Sequence, residues 1–245
     1  MLQTEKKKEP KLKKPKIKAK AEFDQFSKDY RKIVDENLWI SGESSEYFAE
    51  YKVRMLCQWF PEKINQDLKI LDFGCGDGLM TEYIRRYFMY SKIYGADVSE
   101  ESIILAREAF RGIDFSVING RTLPFEAQIF DLAVAAGVFH HIKPEEQKDW
   151  VDEVFRVLKP GGTFVIFELN PLNLGTLYIF KNHPLEKNAK MLFPWRVERL
   201  LSNFASTTMK FYCFFPNWMK FLRPIERFIE WLPLSALYAG IGKKN

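Results

Sequence analysis

Residues 69–78 read Lys-Ile-Leu-Asp-Phe-Gly-Cys-Gly-Asp-Gly, and this stretch decides the fold. Its first half, 69–73, is a short apolar run of the kind that forms a buried strand. Glycines then stand at alternate positions and predict a tight turn, at Gly74, Gly76 and Gly78. Apolar residues after the turn recur at helical spacing, at Met80, Ile84 and Phe88. A strand, a glycine turn and a helix open a nucleotide-binding βαβ unit, in which missing side chains let the backbone approach a ligand.

Two carboxylates flank the glycine turn, those of Asp72 and Asp77. A dinucleotide-binding turn has the spacing Gly-x-Gly-x-x-Gly and presents a helix N-terminus to a pyrophosphate, which these carboxylates would repel. They favour a ligand that carries an amino group and a positive sulfonium. In this pattern the chain resembles the class I S-adenosylmethionine-dependent methyltransferases, whose first motif has the same form. The resemblance implies this cofactor and a binding site that includes Asp72, Gly74, Cys75, Gly76 and Gly78.

A further acid, Asp97, ends the second predicted strand, 92–96. A carboxylate at the tip of this strand can accept both hydrogen bonds from a ribose diol, which is why nucleoside sites place an acid there. Asp97 could instead cap the helix predicted over 100–110, although Ser99 is placed better for that role. We predict ribose binding by Asp97, with Val98 beside it in the cofactor site.

The third predicted strand, 113–118, leads into Asn119 and Gly120. Methyltransferases of the family that this chain resembles commonly have an Asp here, before Leu-Pro-Phe, and that Asp pairs with the adenine amino group. An amide can still accept a hydrogen bond from this amino group and donate one to a ring nitrogen. We therefore predict that Asn119 and Gly120 contact the adenine, while an ordinary Asn-Gly turn is the alternative interpretation.

The residues after the fourth predicted strand, 130–136, indicate the substrate class. Gly137 leaves this strand, as a further predicted cofactor contact, and Val-Phe-His-His-Ile follows at 138–142. Methyltransferases that modify nucleobases or glutamine amides usually carry Asn- or Asp-Pro-Pro-aromatic at this place, and this chain does not. The sequence at 138–142 instead resembles the branch that acts on small molecules and on lipid-like or sugar substrates.

A helix over 145–158, a Lys-Pro-Gly-Gly turn at 159–162 and a fifth strand over 163–168 complete the core pattern. Displacement at a sulfonium needs in-line alignment and no metal, so no metal is predicted. A general base is needed only where the acceptor enters protonated. The candidates by position are His141, His140 and Glu168, although His141 could equally be a structural residue at a helix start.

Strands and helices alternate along 69–168, which predicts parallel pairing in a sheet covered on both faces. The resemblance implies a doubly wound, mostly parallel seven-stranded α/β sheet of the Rossmann-like methyltransferase type, with N-terminal lid helices and an antiparallel C-terminal edge. The C-terminal part should supply helices over 195–204 and 218–232 and strands over 208–215 and 236–242. Ligands of such sheets bind at the carboxyl ends of the strands. The predicted site residues meet at that edge: Asp72, Asp97, Asn119, Gly137, Glu168 and Asn170.

The chain has 245 residues, enough for one domain with a substantial core, and a net charge of +5. Segment 1–20 is rich in Lys and Pro, so we predict a disordered basic tail that either contacts anionic lipid or nucleic acid or only aids solubility. This segment lacks the apolar stretch of a secretory signal. We predict lid helices over 21–62 and the methyltransferase domain over 63–245.

Three cysteines without metal-binding spacing indicate a reducing compartment and no disulfide framework, namely Cys57, Cys75 and Cys213. No apolar run reaches the length that spans a bilayer. We therefore predict a cytoplasmic protein that can contact a membrane at its periphery and has no specific nucleic-acid partner.

Two segments outside the core pattern are rich in aromatic residues. In the predicted lid, Tyr30 and Tyr47 are candidates for cation–π contact with the sulfonium, with ordinary helix packing as the alternative. In the predicted helix 218–232, one apolar face holds Phe221, Leu222, Ile225, Phe228 and Leu232. Such a helix either packs on the sheet or on a second copy, or contacts a membrane or a lipophilic substrate.

The sequence thus predicts an enzyme that moves the methyl group of S-adenosylmethionine to a small-molecule or lipid- or sugar-linked acceptor. Two alternatives remain: a catalytically silent protein that binds S-adenosylmethionine, and an NAD-dependent oxidoreductase. The glycine spacing and the acid before the turn disfavour the oxidoreductase.

Overall fold

The computed structural model describes residues 30–38 and 41–245, apart from the side chain of Tyr30. One sheet of seven strands runs through it, in the order β3-β2-β1-β4-β5-β7-β6. The strands are β1 Lys69–Phe73, β2 Lys92–Asp97, β3 Asp114–Val117, β4 Phe130–Ala136, β5 Leu158–Leu169, β6 Ser206–Tyr212 and β7 Leu237–Lys243. Strand β7 pairs antiparallel with both β5 and β6, whereas the pairs among β1–β5 are parallel. The predicted α/β class and the antiparallel edge are confirmed.

Seven α-helices accompany these strands in the described part of the chain: α1 Tyr30–Asn37, α2 Ser45–Trp59, α3 Leu79–Tyr87, α4 Glu100–Ala109, α5 Gln147–Val157, α6 Leu174–Asn182 and α7 Pro194–Leu200. Because successive strand residues point to opposite faces, Ile70 and Leu71 of β1 enter two different hydrophobic cores. Helices α2, α3 and α4 cover one core, and α5 and α7 cover the other. The sheet is therefore doubly wound, as the alternating pattern predicts.

Strand β1 lies at the centre of the sheet and fixes the position of the site. It pairs with β2 on one side and with β4 on the other. The strand order reverses at this point, and in such sheets the reversal opens a crevice at the carboxyl ends of the strands. The glycine turn that follows Phe73 therefore lies at the mouth of that crevice.

The predicted Lys-Pro-Gly-Gly turn at 159–162 is a bulge inside a longer strand. Helix α5 ends at Val157, and β5 begins at Leu158, opposite Phe130 of β4. The next ladder partners are Leu132 and Thr163, so the residues between are extra on the β5 side. Gly161 supplies the left-handed backbone that the bulge needs, with φ at 77°. The prediction of a turn here is wrong, because β5 continues pairing on both sides of the irregularity.

Helix α2, predicted as part of a lid over the cofactor, packs into one of the two hydrophobic cores. Val53 and Leu56 are fully buried, and Tyr83 and Tyr87 of α3 donate hydrogen bonds to Glu46 and Glu50. The division into tail, lid helices and domain stays a prediction, and the tail, 1–20, lies outside the described residues.

The C-terminal segment differs most from its prediction. The helix expected over 218–232 is a 3₁₀ segment, Asn217–Phe228, with Pro224 inside it. Its inward contacts are charged, because buried Glu226 accepts a hydrogen bond from the Tyr51 hydroxyl and Arg223 pairs with Glu43. Three bulky residues of the predicted apolar face are exposed, namely Phe221, Ile225 and Phe228. The prediction that this apolar face packs on the sheet is therefore wrong.

None of the helices in the described part of the chain combines the length and the apolar character needed to cross a bilayer.

Candidate active site

The glycine turn after β1 uses each glycine for a different physical reason. A Cβ on Gly74 would lie 2.4 Å from Val138 Cγ2, so Gly74 lets the loops after β1 and β4 pack together. A Cβ on Gly78 would lie 2.8 Å from the Phe115 ring, so this glycine lets α3 pack on β3. A Cβ on Gly76 would meet no atom within 4 Å, and its φ of 53° is left-handed. The backbone at Gly76 therefore borders open space at the mouth of the crevice.

Asp97 joins the tips of β1 and β2. Its carboxylate accepts hydrogen bonds from the backbone N–H of Gly76 at 2.8 Å and from that of Ser99 at 2.8 Å. The cap of α4 is Ser99, whose hydroxyl accepts from the Ser102 N–H at 3.1 Å. The capping interpretation of Asp97 is therefore wrong. The Asp97 carboxylate thus lies directly beside the backbone of Gly76 at the mouth of the crevice.

Asp72 is a buried acid at the end of β1. Its Oδ2 accepts a hydrogen bond from the Thr81 hydroxyl at 2.7 Å. The pKa of Asp72 is raised to about 7, chiefly by burial and also by the charge of Asp97, while the Thr81 hydrogen bond acts to lower it. The buried carboxylate is thus costly when ionised and would be stabilised by a cationic ligand.

Lys52 of α2 reaches the same region, and sequence reasoning missed it. Burial lowers the pKa of Lys52 to about 8, although Cys213 and Glu168 act to raise it. The signal was present in the sequence, because Lys52 lies at helical spacing among the buried apolar residues Ala49 and Leu56. A lysine on the buried stripe of a helix indicates a partner or a ligand for its charge.

The remaining predicted cofactor residues line the edge with fewer contacts. Asn119 and Val98 are exposed, and Gly120 has a φ of 87° with open space at its missing Cβ. The Gly137 N–H donates to the Phe167 carbonyl at 2.9 Å and so joins the ends of β4 and β5. Cys75 is buried, and burial raises the pKa of its thiol. Their contacts with a cofactor stay predictions.

The three predicted base candidates come together next to this edge. His140 Nδ1 lies 2.6 Å from Glu168 Oε2, and Glu168 Oε1 accepts from the backbone N–H groups of Phe139 and His140. A fourth group, Glu186, was missed by sequence reasoning. Its Oε2 lies 3.3 Å from His140 Nε2 and 3.6 Å from His141 Nε2. No local pattern links it to residues more than 40 positions away.

Burial of His140 acts to lower its pKa, but the carboxylates of Glu168 and Glu186 raise it to about 10. An imidazole that keeps its second proton at neutral pH does not accept a proton from an acceptor. Glu168 is held by its bonds to His140 and the backbone. Of the three candidates, His141 has the most exposed side chain, at 21%, against 4% for His140 and 1% for Glu168.

Two further predicted residues have structural partners. Asn170 donates to the carbonyls of Pro233 and Ser235 and accepts from Leu172 N–H, so its amide is committed to the loop before β7. The ring of Tyr47 is flanked by the guanidinium groups of Arg54, at 5.7 Å, and Arg223, at 5.1 Å. The predicted contact of Tyr47 with a sulfonium is therefore not supported. The Tyr30 side chain lies outside the part of the chain that the structure describes, so its predicted contact with the sulfonium stays a prediction.

Residues 71–166 match the family model described as "Methyltransferase domain". The cyclopropane-fatty-acyl-phospholipid synthase of Escherichia coli (strain K12) is 27% identical over 128 residues, which cover 52% of this chain and 32% of that protein. The mitochondrial ubiquinone biosynthesis O-methyltransferase of Rattus norvegicus is 34% identical over 122 residues, which cover 46% of this chain and 34% of that protein. The chain thus spans about a third of the length of these relatives.

Among solved structures, a SAM-dependent methyltransferase from Archaeoglobus fulgidus superposes with a TM-score of 0.64 at 20% identity, covering 82% of this chain and 95% of that one. The plantazolicin methyltransferase BpumL, in complex with SAH, superposes with a TM-score of 0.63 at 20% identity, covering 91% of this chain and 94% of that one. At this identity the likeness establishes the fold, and it agrees with the strand order described above.

The buried acid at the end of β1 gives a prediction about stability and pH. Asp72→Asn keeps an oxygen that can accept from Thr81 and removes the ionisable group. Because the folded-state pKa of Asp72 is raised from 3.8 to about 7, ionisation costs folding stability as pH rises through this window. One pKa unit corresponds to about 1.4 kcal/mol. We expect Asp72→Asn to be more stable than the wild type by up to about 4 kcal/mol above pH 7, given the shift from 3.8.

The check is thermal or urea unfolding of both proteins at pH 5 and pH 8. The difference in unfolding free energy should grow from about pH 4 to about pH 7 and stay constant above that. A variant that is less stable than the wild type at pH 8, or a difference that does not change with pH, would contradict the assignment of a costly buried charge to Asp72.

Proposed function

We propose that this chain, whose residues 71–166 form a class I S-adenosylmethionine-dependent methyltransferase domain, moves a methyl group from that cofactor to a small molecule held at a membrane surface. The domain match confirms the resemblance first indicated by the acid-flanked glycine turn. The activity and the acceptor class are inferred from the geometry of the site and of the surface beside it.

The observation that carries methyl transfer is the arrangement of Asp72, Gly76 and Asp97 at the mouth of the crevice. Gly76 leaves open space, Asp97 supplies carboxylate oxygens beside it, and Asp72 offers a buried anionic acceptor. These groups fit S-adenosylmethionine, which has a ribose diol and a cationic amino group. Bound there, the cofactor supplies an electrophilic methyl group on a sulfonium.

The residues of this chain have mainly a positioning role in that reaction. A nucleophile held in line with a transferable methyl group gains much of its rate from alignment alone. The loops after β4 and β5, which carry His140, His141 and Glu168, border the edge where the acceptor must enter. We assign proton acceptance, where the acceptor needs it, to His141.

The acceptor class is inferred from an unusual surface, here called the aromatic surface: Trp218, Phe221, Ile225, Phe228, Trp231 and Leu234, all exposed. The 3₁₀ segment is kinked at Met219, and after the kink Ile225 and Phe228, three residues apart, lie in one exposed row. Glu226 lies on another side of the segment and faces the protein. A segment whose charged side chains contact the protein and whose aromatic rings are exposed is suited to contact with lipid and not with water.

The aromatic surface lies at the same end of the molecule as the site. Its 3₁₀ segment is fixed to α2 through Tyr51 and Glu226, and Tyr51 precedes Lys52 of the site. Asn170, just after β5, holds the carbonyls on both sides of Leu234. Exposed Lys220 and Arg227 add positive charge beside the rings, which favours an anionic membrane.

The relatives that match the domain support an acceptor of this kind. Several of them are named for lipid or quinone pathways: a cyclopropane-fatty-acyl-phospholipid synthase, a ubiquinone biosynthesis O-methyltransferase and a phthiotriol/phenolphthiotriol dimycocerosates methyltransferase. We infer by analogy that the acceptor of this chain is lipid-linked.

The cofactor assignment gives a prediction for binding. In calorimetry the protein should bind S-adenosylhomocysteine and should not bind NAD. Asp97→Ala should weaken this binding by about 1.5–3 kcal/mol, the scale of hydrogen bonds to a charged group. Asp72→Asn should also weaken it, because the cationic amino group loses its anionic partner, although the folded protein gains stability. Tight NAD binding without any response to S-adenosylhomocysteine would refute the assignment.

Turnover separates an enzyme from a silent cofactor-binding protein. We expect label from isotopically marked S-adenosylmethionine to enter the lipid fraction of a cell extract incubated with the protein. Mass spectrometry of that fraction identifies the acceptor. Cofactor binding with no labelled product in either the lipid or the aqueous fraction would favour the silent protein, and label in the aqueous fraction alone would refute the lipid-linked acceptor.

The aromatic surface gives a prediction for membrane binding. Phe221 and Phe228 are 73% and 65% exposed, so replacing both by Ser should leave the melting temperature nearly unchanged. The same change should reduce sedimentation with anionic liposomes several-fold, because the rings supply the apolar contact.

Tyr90→Ser is the matched control, because Tyr90 is 63% exposed and lies just before β2, at the amino ends of the parallel strands. It should bind liposomes like the wild type. Equal loss in Tyr90→Ser, or a melting temperature that falls sharply in the double variant, would contradict a membrane-facing aromatic surface.

A further inference from the structure

Three potential ligand atoms converge beside the crevice, from His140, His141 and Glu186. All lie within 4.8 Å of one another. Glu186 Oε2 is 3.3 Å from His140 Nε2 and 3.6 Å from His141 Nε2. In a tetrahedral zinc site with bonds of about 2.0–2.1 Å, neighbouring ligand atoms stand about 3.4 Å apart. The distances among the three ligand atoms are therefore compatible with one cation bound between them.

The orientation of His140 is fixed by Glu168 from behind. A carboxylate accepts hydrogen bonds, so the contact of 2.6 Å between Glu168 Oε2 and His140 Nδ1 places a proton on Nδ1. Nε2 is then directed toward Glu186 and His141. A histidine whose Nδ1–H is held by a carboxylate while Nε2 faces other ligands has the arrangement of metal-binding histidines in proteins.

Two atoms of the cluster lack a hydrogen-bond partner although they are buried. These are His140 Nε2 and Glu186 Oε2, which face each other in an ion-pair contact that is not a hydrogen bond. The His140 side chain is only 4% exposed, so water does not satisfy it from the surface. Buried polar atoms without partners are rare in folded proteins and call for an explanation.

We propose that His140 Nε2, His141 Nε2 and Glu186 Oε2 form a binding site for a divalent transition metal ion, with zinc as the preferred ion. Two imidazole nitrogens and one carboxylate oxygen are a ligand set typical of zinc sites that keep one position open. On binding, the ion displaces the proton from His140 Nε2 and becomes the partner of both buried atoms. His141 provides the path of entry, because its side chain is more exposed than that of His140.

The open position suggests what the metal does. Glu168 and His140 stand at the carboxyl ends of β5 and β4, the edge where an acceptor meets the cofactor. A cation held there would take an oxygen of the acceptor as its fourth ligand and favour the deprotonated form of a hydroxyl group, so in the metal-bound protein this role replaces proton acceptance by His141. This role rests on the proposed function, whereas the metal site itself does not.

The test uses the full chain without an affinity tag, stripped of metal with a chelator and then titrated with Zn²⁺ alone against a zinc indicator. Metal content after gel filtration and the melting temperature give two further readouts. We expect one zinc per chain and a melting temperature that rises with zinc. Glu186→Gln and His141→Gln should each weaken zinc binding at least about tenfold. Glu198→Gln, an exposed position on α7, is the matched control and should bind zinc like the wild type.

The proposal is overturned if the wild type retains no zinc and shows no thermal shift. It is also overturned if both cluster variants bind zinc like the wild type, which would place the ion on other groups such as Cys57 or Cys213. If one variant does not fold, the other decides. Binding of S-adenosylhomocysteine, measured on the same samples, separates failure of the metal site from failure of the proposed function.

Discussion

The site depends on one constraint, the close approach of three strand tips at the glycine turn. Gly74 has no side chain, so the loop after β4 can place Val138 where a Cβ would otherwise be. The Ala96 carbonyl at the end of β2 accepts from the N–H groups of Gly74 and Cys75, and Asp97 accepts from that of Gly76. These hydrogen bonds hold the tip of β1 against β2. The absence of a side chain at Gly74 lets the same tip pack closely against the loop after β4. Any side chain at Gly74 would separate the tips and open the crevice at its base.

The strand, turn and acid arrangement around the proposed cofactor site could be predicted because it is encoded locally. Strand β1, the glycine turn and Asp97 lie within about thirty residues, and their roles follow from backbone geometry and from a short spacing of acids. The parallel core was predictable for a related reason, since β1 and β4 have continuous apolar runs with the bounds that the structure gives. The bulge at 159–162 could not be predicted, because a strand that continues past a Pro-Gly-Gly segment needs the partner strands β4 and β7 to hold it.

The acceptor half was only partly predictable, because tertiary contacts decide it. Periodicity of 3.6 residues in 218–232 indicated an apolar face, and the usual expectation is that such a face is buried. The orientation of the segment is instead set by two residues more than 170 positions earlier. Tyr51 binds Glu226, and Glu43 binds Arg223. Those two charged contacts turn the aromatic residues outward. Glu186 likewise reaches His140 and His141 from a segment without a sequence motif, so its place in the site could not be predicted.

Both halves of the proposed site contain groups that cost folding free energy. Asp72 and the pair of His140 and Glu168 are buried ionisable groups, which destabilise a fold unless a ligand or a partner compensates their charge. A domain that retains such groups at the edge of its sheet gives up stability in favour of ligand binding. The family model ends at residue 166, before Glu168, Glu186 and the aromatic surface. The family match therefore covers the residues proposed to bind the cofactor, whereas Glu186 and the aromatic surface, proposed to act on the acceptor side, lie outside it.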